Sequence, residues 1–254
     1  MSGGTFGTAG LAFVVFAGVL LPLAASAFAL GERRRDATRS VDEPRADAAE
    51  LSRLPLYAQA LFTHALLLLA AIGAARVERV AVFRPIEIGW RGAAAAVATL
   101  AAVLALGELS WRSRSSLERD RLWVRRILPR TNAERSVWVF VSAGAAVAEE
   151  VAYRGVFVAL AATATGSPTL AVLAAAVAFA AVHAPQGLAG VGYVFVIALL
   201  QHTLVWFTGT LLLAIVVHFA YDVLAGLWLA RRHGLTKCCV LRAACCVLGA
   251  SRGF

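Results

Sequence analysis

The apolar positions of this 254-residue chain fall in long runs that polar segments interrupt. A run of roughly 20 apolar residues has the length of a helix that crosses the hydrocarbon core of a bilayer. The runs lack polar stripes at helical spacing, which the helices of a soluble bundle would show. The pattern therefore predicts an all-α fold, a polytopic transmembrane helical bundle of about seven spans. The predicted spans are 11–30, 56–75, 92–109, 136–162, 169–182, 189–207 and 210–230.

Composition and charge support a membrane protein. The chain is 60% hydrophobic and 15% charged, whereas a soluble domain has about 25% charged residues. The net charge of +9 comes from 23 Arg and one Lys, mostly in loops beside apolar spans. The positive-inside rule explains this arrangement, and a nucleic-acid-binding domain would instead collect its basic residues on one face. We expect the lipid bilayer as a partner and no nucleic acid.

The distribution of Arg also predicts a topology. Segments 31–55 and 110–135 and the end of the last span at Arg231 are predicted to be cytoplasmic, with the N-terminus outside. Segment 76–91 carries four Arg yet falls outside in this arrangement. Segment 110–135 mixes Arg with Trp and aliphatic residues, so it suits either an interfacial helix or a solvated loop. Scarce Lys beside abundant Ala and Arg suggests a GC-rich bacterial genome, and hence a multi-pass protein of the bacterial inner membrane.

Three ionisable side chains, Glu149, Glu150 and Arg154, lie inside the fourth apolar segment. A charge at the bilayer centre costs about 2.5–3.5 kcal/mol on insertion scales, so such residues are functional-site candidates. Glu150 and Arg154 are i,i+4 neighbours that can pair on one helix face, whereas Glu149 points elsewhere. In one interpretation Arg154 neutralises one Glu and the other is free for chemistry. In the other, both carboxylates are structural and share the Arg.

Two more apolar segments carry candidate residues. His183 lies at the end of the fifth span, and His218 and Asp222 lie at i,i+4 in the seventh. An Asp at this spacing can orient the imidazole by a hydrogen bond, or the two residues can bind a metal. The structural alternatives are a hydrogen-bonded pair between helices for His218 and Asp222, and a satisfied or snorkelling side chain near a helix end for His183. Together, three predicted helices offer Glu, His, and His with Asp at membrane depth.

The order Glu149-Glu150-x-x-x-Arg154, Phe179-x-x-x-His183 and His218-x-x-x-Asp222 resembles the CPBP family. That family, also called ABI, includes type II CAAX prenyl proteases and bacteriocin-processing enzymes. The resemblance covers about residues 128–230, including a similar lead-in at Leu128-Pro129-Arg130-Thr131. It implies an intramembrane glutamic endopeptidase, a hydrolase that cleaves membrane-associated peptide or protein substrates with a glutamate-activated water.

The resemblance also implies a role for each residue. Glu149 would be the general base, and His183 would help to hold the water. His218 and Asp222 would stabilise the oxyanion of the tetrahedral intermediate. The family often has Asn in place of Asp222, and Asp donates only when protonated, so Asp222 can instead orient His218. The supporting residues would be Glu150 and Arg154.

Two alternatives to this reading stay open. The resemblance implies no cofactor, but Glu149, His183 and His218 could form a carboxylate–His–His site for Zn²⁺ with an open position for water. Outside the protease class, the chain could be a non-catalytic membrane scaffold or chaperone-like protein on the same fold. A transporter would be expected to show inverted repeats, and the sequence contains no internal repeat.

The sequence divides into three predicted regions. These are N-terminal transmembrane helices with a basic cytoplasmic loop at 1–127, a catalytic core at 128–230 and a basic, Cys-containing tail at 231–254. His64, in the second span, has no motif around it and is interpreted as core or lipid-facing, whereas His202 could line a cavity. All four Cys lie in the last 17 residues, so no disulfide can link the helices. Their adjacent pairs lack zinc-site spacing, and a membrane-apposed tail is favoured over a lipidated one.

Overall fold

The computed structural model describes residues 6–38, 52–83, 88–113 and 127–232, which form seven helices. The Cys-containing tail and parts of segments 31–55, 76–91 and 110–135, and with the last of these most of the possible interfacial helix, lie outside the described residues. The helices are α1 (8–38), α2 (Leu54–Val77), α3 (Trp90–Arg112), α4 (132–165), α5 (Pro168–Val182), α6 (Leu188–Thr208) and α7 (Leu211–Arg232). Two of them are composite. α1 consists of Thr8–Val15, the π-helical Phe16–Leu20 and Leu21–Thr38, and α4 consists of Asn132–Glu149, the π-helical Glu150–Phe157 and Val158–Thr165.

The helices confirm the predicted all-α membrane bundle. Among the described residues, α1, α2, α3, α6 and α7 are long and apolar enough to cross a membrane. α5 is shorter, at 15 residues. The protein is therefore a multi-pass membrane protein. The largest difference from the predicted boundaries is in α1, which continues to Thr38 instead of ending near residue 30, because Glu and Arg after the apolar run are good helix formers.

Caps fix the ends of the helices around the centre of the bundle. Thr131 begins α4 with a capping box, in which its hydroxyl accepts from the Glu134 N–H while the Glu134 carboxylate accepts from the Thr131 N–H. Ser167 caps α5 by accepting from the Leu170 N–H. Gly166 and Gly209 end α4 and α6 with φ of 66° and 69°, a left-handed conformation that glycine adopts without strain. The turns predicted from Pro and Gly are thus confirmed.

α4 is the central helix, and it packs against α2, α5 and α7. Small residues allow this close packing, which is the usual way that helices associate in lipid. Fully buried alanines occur on five of the helices, among them those at positions 17, 71, 152, 175 and 214. Because α2 lies alongside α4, the N-terminal region 1–127 contributes directly to the surroundings of the Glu149-Glu150 pair.

The segment after α2 folds back onto the start of α1. The Glu78 carboxylate accepts hydrogen bonds from the Gly7 and Gly10 N–H groups, both at 2.8 Å. A carboxylate is stabilised at a helix N-terminus, where unpaired N–H groups and the positive end of the helix dipole meet. This contact puts the start of segment 76–91 and the N-terminus at the same end of the bundle, as the predicted topology requires.

Candidate active site

The centre of α4 changes its helical geometry at the Glu pair. Glu149 is the last residue of an α-helical segment, and Glu150–Phe157 is π-helical. Single-turn π segments are rare and occur frequently at functional sites. The sequence predicted a regular helix here and not a π segment, since no residue type in this stretch demands one. Gly155, which lies in this π segment, is approached closely by the Leu211 and Val82 side chains. A Cβ at position 155 would lie 3.1 Å from an atom of each.

Glu150 is the buried anion of the site. Its side chain has no exposed surface, and its Oε1 lies 2.6 Å from the Arg154 Nη1, at the i,i+4 spacing noted in the sequence. The same oxygen lies 2.7 Å from the His218 Nδ1. Glu150 Oε2 has no hydrogen-bond partner among the described residues. The charge of Glu150 is therefore balanced through one oxygen, which joins α4 to α7.

His218 lies among three carboxylates. Its Nδ1 contacts Glu150, and its Nε2 lies 3.5 Å from the Asp222 Oδ2 and 3.7 Å from the Glu149 Oε2. A carboxylate without a proton only accepts hydrogen bonds, so this surrounding favours a ring that carries a proton on both nitrogens. The two Nε2 distances exceed an ordinary hydrogen bond. The Nε2–H group can therefore still donate to a group that enters between Asp222 and Glu149.

Glu149 differs from Glu150 in being partly accessible, with 16% of its side chain exposed. Its Oε2 faces His218, and its Oε1 lies 3.1 Å from the Nε2 of His64 on α2. The interpretation of His64 as core or lipid-facing missed this contact with the Glu149 carboxylate. A signal was present in the sequence, because His64 is an ionisable residue inside an apolar span and was a functional candidate on the same ground as Glu149.

His183 lies at the C-terminal end of α5, where its Nδ1 donates to the Phe179 carbonyl oxygen at 2.9 Å. The Phe179 ring is 4.8 Å from the His183 ring and 6.5 Å, edge to face, from the His218 ring. The Arg154 guanidinium lies over the same ring, 5.0 Å from its centroid. Phe179 thus brings the cationic face of the site, His218 and Arg154, against the helix end that carries His183.

The predicted residues are brought together on three helices. Glu149, Glu150 and Arg154 lie on α4, next to His218 and Asp222 on α7, and His183 is linked to them through Phe179. His202 is buried in α6, and its predicted lining of a cavity stays a prediction. α7 is held against α4 below the site, because the Trp138 indole donates to the Asp222 carbonyl oxygen at 3.2 Å.

The alternative zinc site of Glu149, His183 and His218 has no support from the side-chain arrangement. Within residues 6–38, 52–83, 88–113 and 127–232, no group of three or more His, Cys, Asp or Glu side chains has the arrangement of a metal site. Zinc would need ligand atoms about 2.0–2.2 Å from one point. The absence of a cofactor stays a prediction.

Comparison with protein-family models gave a match to "Type II CAAX prenyl endopeptidase Rce1-like" over residues 131–224. No curated protein and no solved structure matched the chain. The matched segment begins at the Thr131 cap of α4 and ends two residues after Asp222, so it contains all three motifs. It confirms the family that the motif order predicted, and at family level it indicates a protease. Residues 131–224 of this multi-pass membrane protein are thus similar to the Rce1-like family of type II CAAX prenyl endopeptidases.

Proposed function

We propose that the protein is a glutamate-dependent intramembrane endopeptidase that hydrolyses peptide bonds of membrane-associated peptide or protein substrates. The observation that carries the proposal is the contrast between two adjacent carboxylates. Glu150 is fully buried and neutralised by Arg154 and His218, whereas Glu149 is partly exposed beside the His218 Nε2. One carboxylate thus supports the site, and the other is accessible to a water and a substrate.

In the proposed reaction Glu149 acts as the general base. It takes a proton from a water onto Oε2, the oxygen that His64 does not contact, and the water oxygen attacks the carbonyl carbon of the scissile peptide bond. The carbon–nitrogen bond then breaks. The proton held by Glu149 passes to the leaving amine, so that Glu149 returns to its ionised form. His183 would help to hold the attacking water, as the family resemblance implies.

His218 would stabilise the oxyanion. Its Nδ1 is held by Glu150, so its Nε2–H has a fixed direction and can donate where negative charge develops. The distance from Asp222 Oδ2 to the same Nε2 favours the role in which Asp222 orients the charged ring over the role of a direct donor. The His218 side chain is largely buried, and a positively charged donor in such a position stabilises an oxyanion more strongly than it would in water.

The scaffold alternative receives less support. It would be favoured by a Glu149 side chain directed at lipid, and Glu149 instead contacts one imidazole on α2 and faces another on α7. Of the two carboxylates Glu149 is the partly exposed one, and its Oε2 lies 3.7 Å from the His218 Nε2, so this oxygen stays open to a water.

The test is cleavage of an internally quenched peptide by purified protein in lipid vesicles. One peptide carries a prenylated cysteine three residues before its C-terminus, and a second is identical without the prenyl group. We expect cleavage by the wild type and a loss of at least about 100-fold in kcat for Glu149→Gln, with an unchanged melting temperature. Glu108→Gln is the matched control, because Glu108 pairs with Arg112 and Arg232 at a helix end.

Two outcomes would contradict the proposal. If the wild type cleaves neither peptide, the protein is not an endopeptidase of this class. Activity of Glu149→Gln within a few-fold of wild type contradicts its role as the base.

A further inference from the structure

His64 joins the candidate site from α2, outside the segment 131–224 that matches the family model. Each of its two ring nitrogens contacts an acceptor oxygen. Nδ1 lies 2.7 Å from the Ala60 carbonyl oxygen one turn earlier, and Nε2 lies 3.1 Å from the Glu149 Oε1. The side chain is 20% exposed, so it is largely removed from lipid and solvent. The ring is thus fixed at both nitrogens, with Glu149 as its partner across the helix interface.

These two contacts determine where protons must lie. A carbonyl oxygen only accepts hydrogen bonds, so Nδ1 carries a proton. If Nε2 carried none, its lone pair would face a carboxylate oxygen, and two acceptors would meet at 3.1 Å. One proton is therefore required between Nε2 and Oε1. Glu149 can act as a base only when this proton is on the imidazole, which makes His64 a cation next to an ionised Glu149.

The charge balance of the whole site leads to the same assignment. The charged and titratable groups that face it come from α2, α4, α5 and α7. They are His64, Glu149, Glu150, Arg154, His183, His218 and Asp222. Its three carboxylates are balanced by Arg154 and by His218 with two protons only if one further cation is present. A buried charge without a partner is strongly destabilising. A charged His64 supplies the missing cation, because its Nε2 contacts a carboxylate, whereas the Nδ1 of the other imidazole, His183, bonds the Phe179 carbonyl oxygen.

We propose that His64 is a positioning residue, which carries a proton between its Nε2 and the Glu149 Oε1 and so holds Glu149 ionised with Oε2 free for the reaction. This role rests on the proposed function of Glu149 as the base. It does not make His64 a catalytic residue, because the ring acts through Glu149 and not on the substrate. It also assigns part of the active site to α2, so the helices before residue 131 are needed for the reaction itself.

The first test measures the protonation state of His64 without any substrate. The protein contains five His, so nitrogen-15 NMR of His-labelled protein in lipid vesicles, compared with His64→Gln, identifies the signals of this ring. Near neutral pH we expect protons on both ring nitrogens in the wild type. In Glu149→Gln we expect a neutral ring that keeps its proton on Nδ1. A neutral His64 in the wild type, or a charge that persists in Glu149→Gln, overturns the proposal.

The second test uses the cleavage assay. His64→Leu removes both the hydrogen bond and the charge, and we expect kcat to fall about 10- to 100-fold, the rate equivalent of one charge-assisted hydrogen bond, with KM unchanged. The acidic limb of the pH–activity profile should move to higher pH, because the cation that favours ionised Glu149 is gone. His64→Gln keeps a donor without a charge, so it should recover part of kcat and leave the limb displaced.

The matched control is Thr63→Val, the neighbouring residue on α2, whose exposed hydroxyl bonds only to the Gln59 carbonyl oxygen among the described residues. It should match the wild type in both kcat and pH profile. A folded His64→Leu, or His64→Gln if the former does not fold, with wild-type kcat and pH profile overturns the proposal. If the wild type cleaves neither peptide, the proposed function fails, and the NMR result still decides whether His64 shares a proton with Glu149.

Discussion

The Glu150 carboxylate holds the His218 imidazole across the interface of α4 and α7, with 2.7 Å between Oε1 and Nδ1. The same oxygen receives Arg154 at 2.6 Å. One buried acceptor thus connects a guanidinium on its own helix with a ring on the facing helix. The contact gives a Glu with no exposed surface two cationic partners, and it ties the stability of the bundle to the geometry of the site.

Arg154→Ala should reduce both the yield of folded protein and its melting temperature, because it leaves Glu150 buried with His218 as its only cation. Removing one partner of a buried ion pair costs about 3–5 kcal/mol. The measurement is thermal unfolding in detergent, together with the amount of monodisperse protein. Arg135→Ala is the matched control on the same helix, since Arg135 bonds Asn132 near the exposed helix start. A normal yield and melting temperature for Arg154→Ala would show that Glu150 does not depend on this pair.

Asp222→Asn should lower kcat if the carboxylate orients and stabilises a charged His218, as its distance of 3.5 Å from Nε2 favours. An amide has no charge, so the ring would lose its second proton more readily, and the basic limb of the pH–activity profile should move to lower pH. The measurement is kcat over the pH range in which the fold is stable. Equal or higher kcat for the Asn variant would instead assign to position 222 the direct donor role that the family's usual Asn suggests.

Gly226→Ala should destabilise the contact between α7 and α4, because a Cβ at this position would lie 2.5 Å from the Trp138 ring. The ring cannot move freely, since its Nε1 donates to the Asp222 carbonyl oxygen and it packs edge to face with the Tyr57 ring, with 5.8 Å between the ring centroids. Overpacking of this kind costs about 1–3 kcal/mol. Unfolding measurements should show a lower melting temperature.

The control for this substitution is Gly73→Ala on α2, where a Cβ would meet nothing within 4 Å. Alanine in a helix is favoured over glycine by about 1 kcal/mol, so Gly73→Ala should be neutral or stabilising. Equal effects of the two substitutions would show that the approach of Trp138 to α7 is not a close steric contact.

The hydrogen bonds that Glu134 accepts at the start of α4, before the apolar segment, predict that the stability of the fold depends on pH. Burial would raise the pKa of Glu134, but hydrogen bonds from the Arg53, Arg130 and Thr131 N–H groups and the nearby Arg53 charge hold that pKa below its usual range. A lowered pKa in the folded state stabilises the protein above the unfolded value of about 4.3. This contribution is lost as the pH falls through the folded value.

Glu134→Gln should therefore lower the melting temperature at neutral pH, by the equivalent of about 1 kcal/mol for a lost helix cap. The difference from wild type should shrink as the pH falls below the usual range of a Glu. The measurement is thermal unfolding as a function of pH. A difference between the two proteins that stays constant down to acidic pH would contradict the capping role of the ionised carboxylate.

The fold class, the turns and the pairs of charged residues within one helix could be predicted from the sequence. Long apolar runs without polar stripes leave a helical membrane bundle as the available fold, because unpaired backbone groups are too costly in lipid. Pro and Gly marked the turns at Gly166 and Gly209 for the same local reasons that the structure shows. The spacing of Glu150 and Arg154 and of His218 and Asp222 predicted two pairs on helix faces, since the side chains of positions i and i+4 are neighbours within one helix.

Only the tertiary structure decided which groups meet across helices. No local pattern could reveal that Glu150 binds His218, or that His64 on α2 faces Glu149. The two pairs are 68 and 85 residues apart in the chain, and only helix packing brings them together. The π segment at Glu150–Phe157 packs against α2, α5 and α7, and no residue type within it demands that geometry. The sequence by itself determined the fold class, the spans and the family's motifs. The division between a buried, neutralised carboxylate and an accessible one arose from helix packing, which places each charge beside its partner.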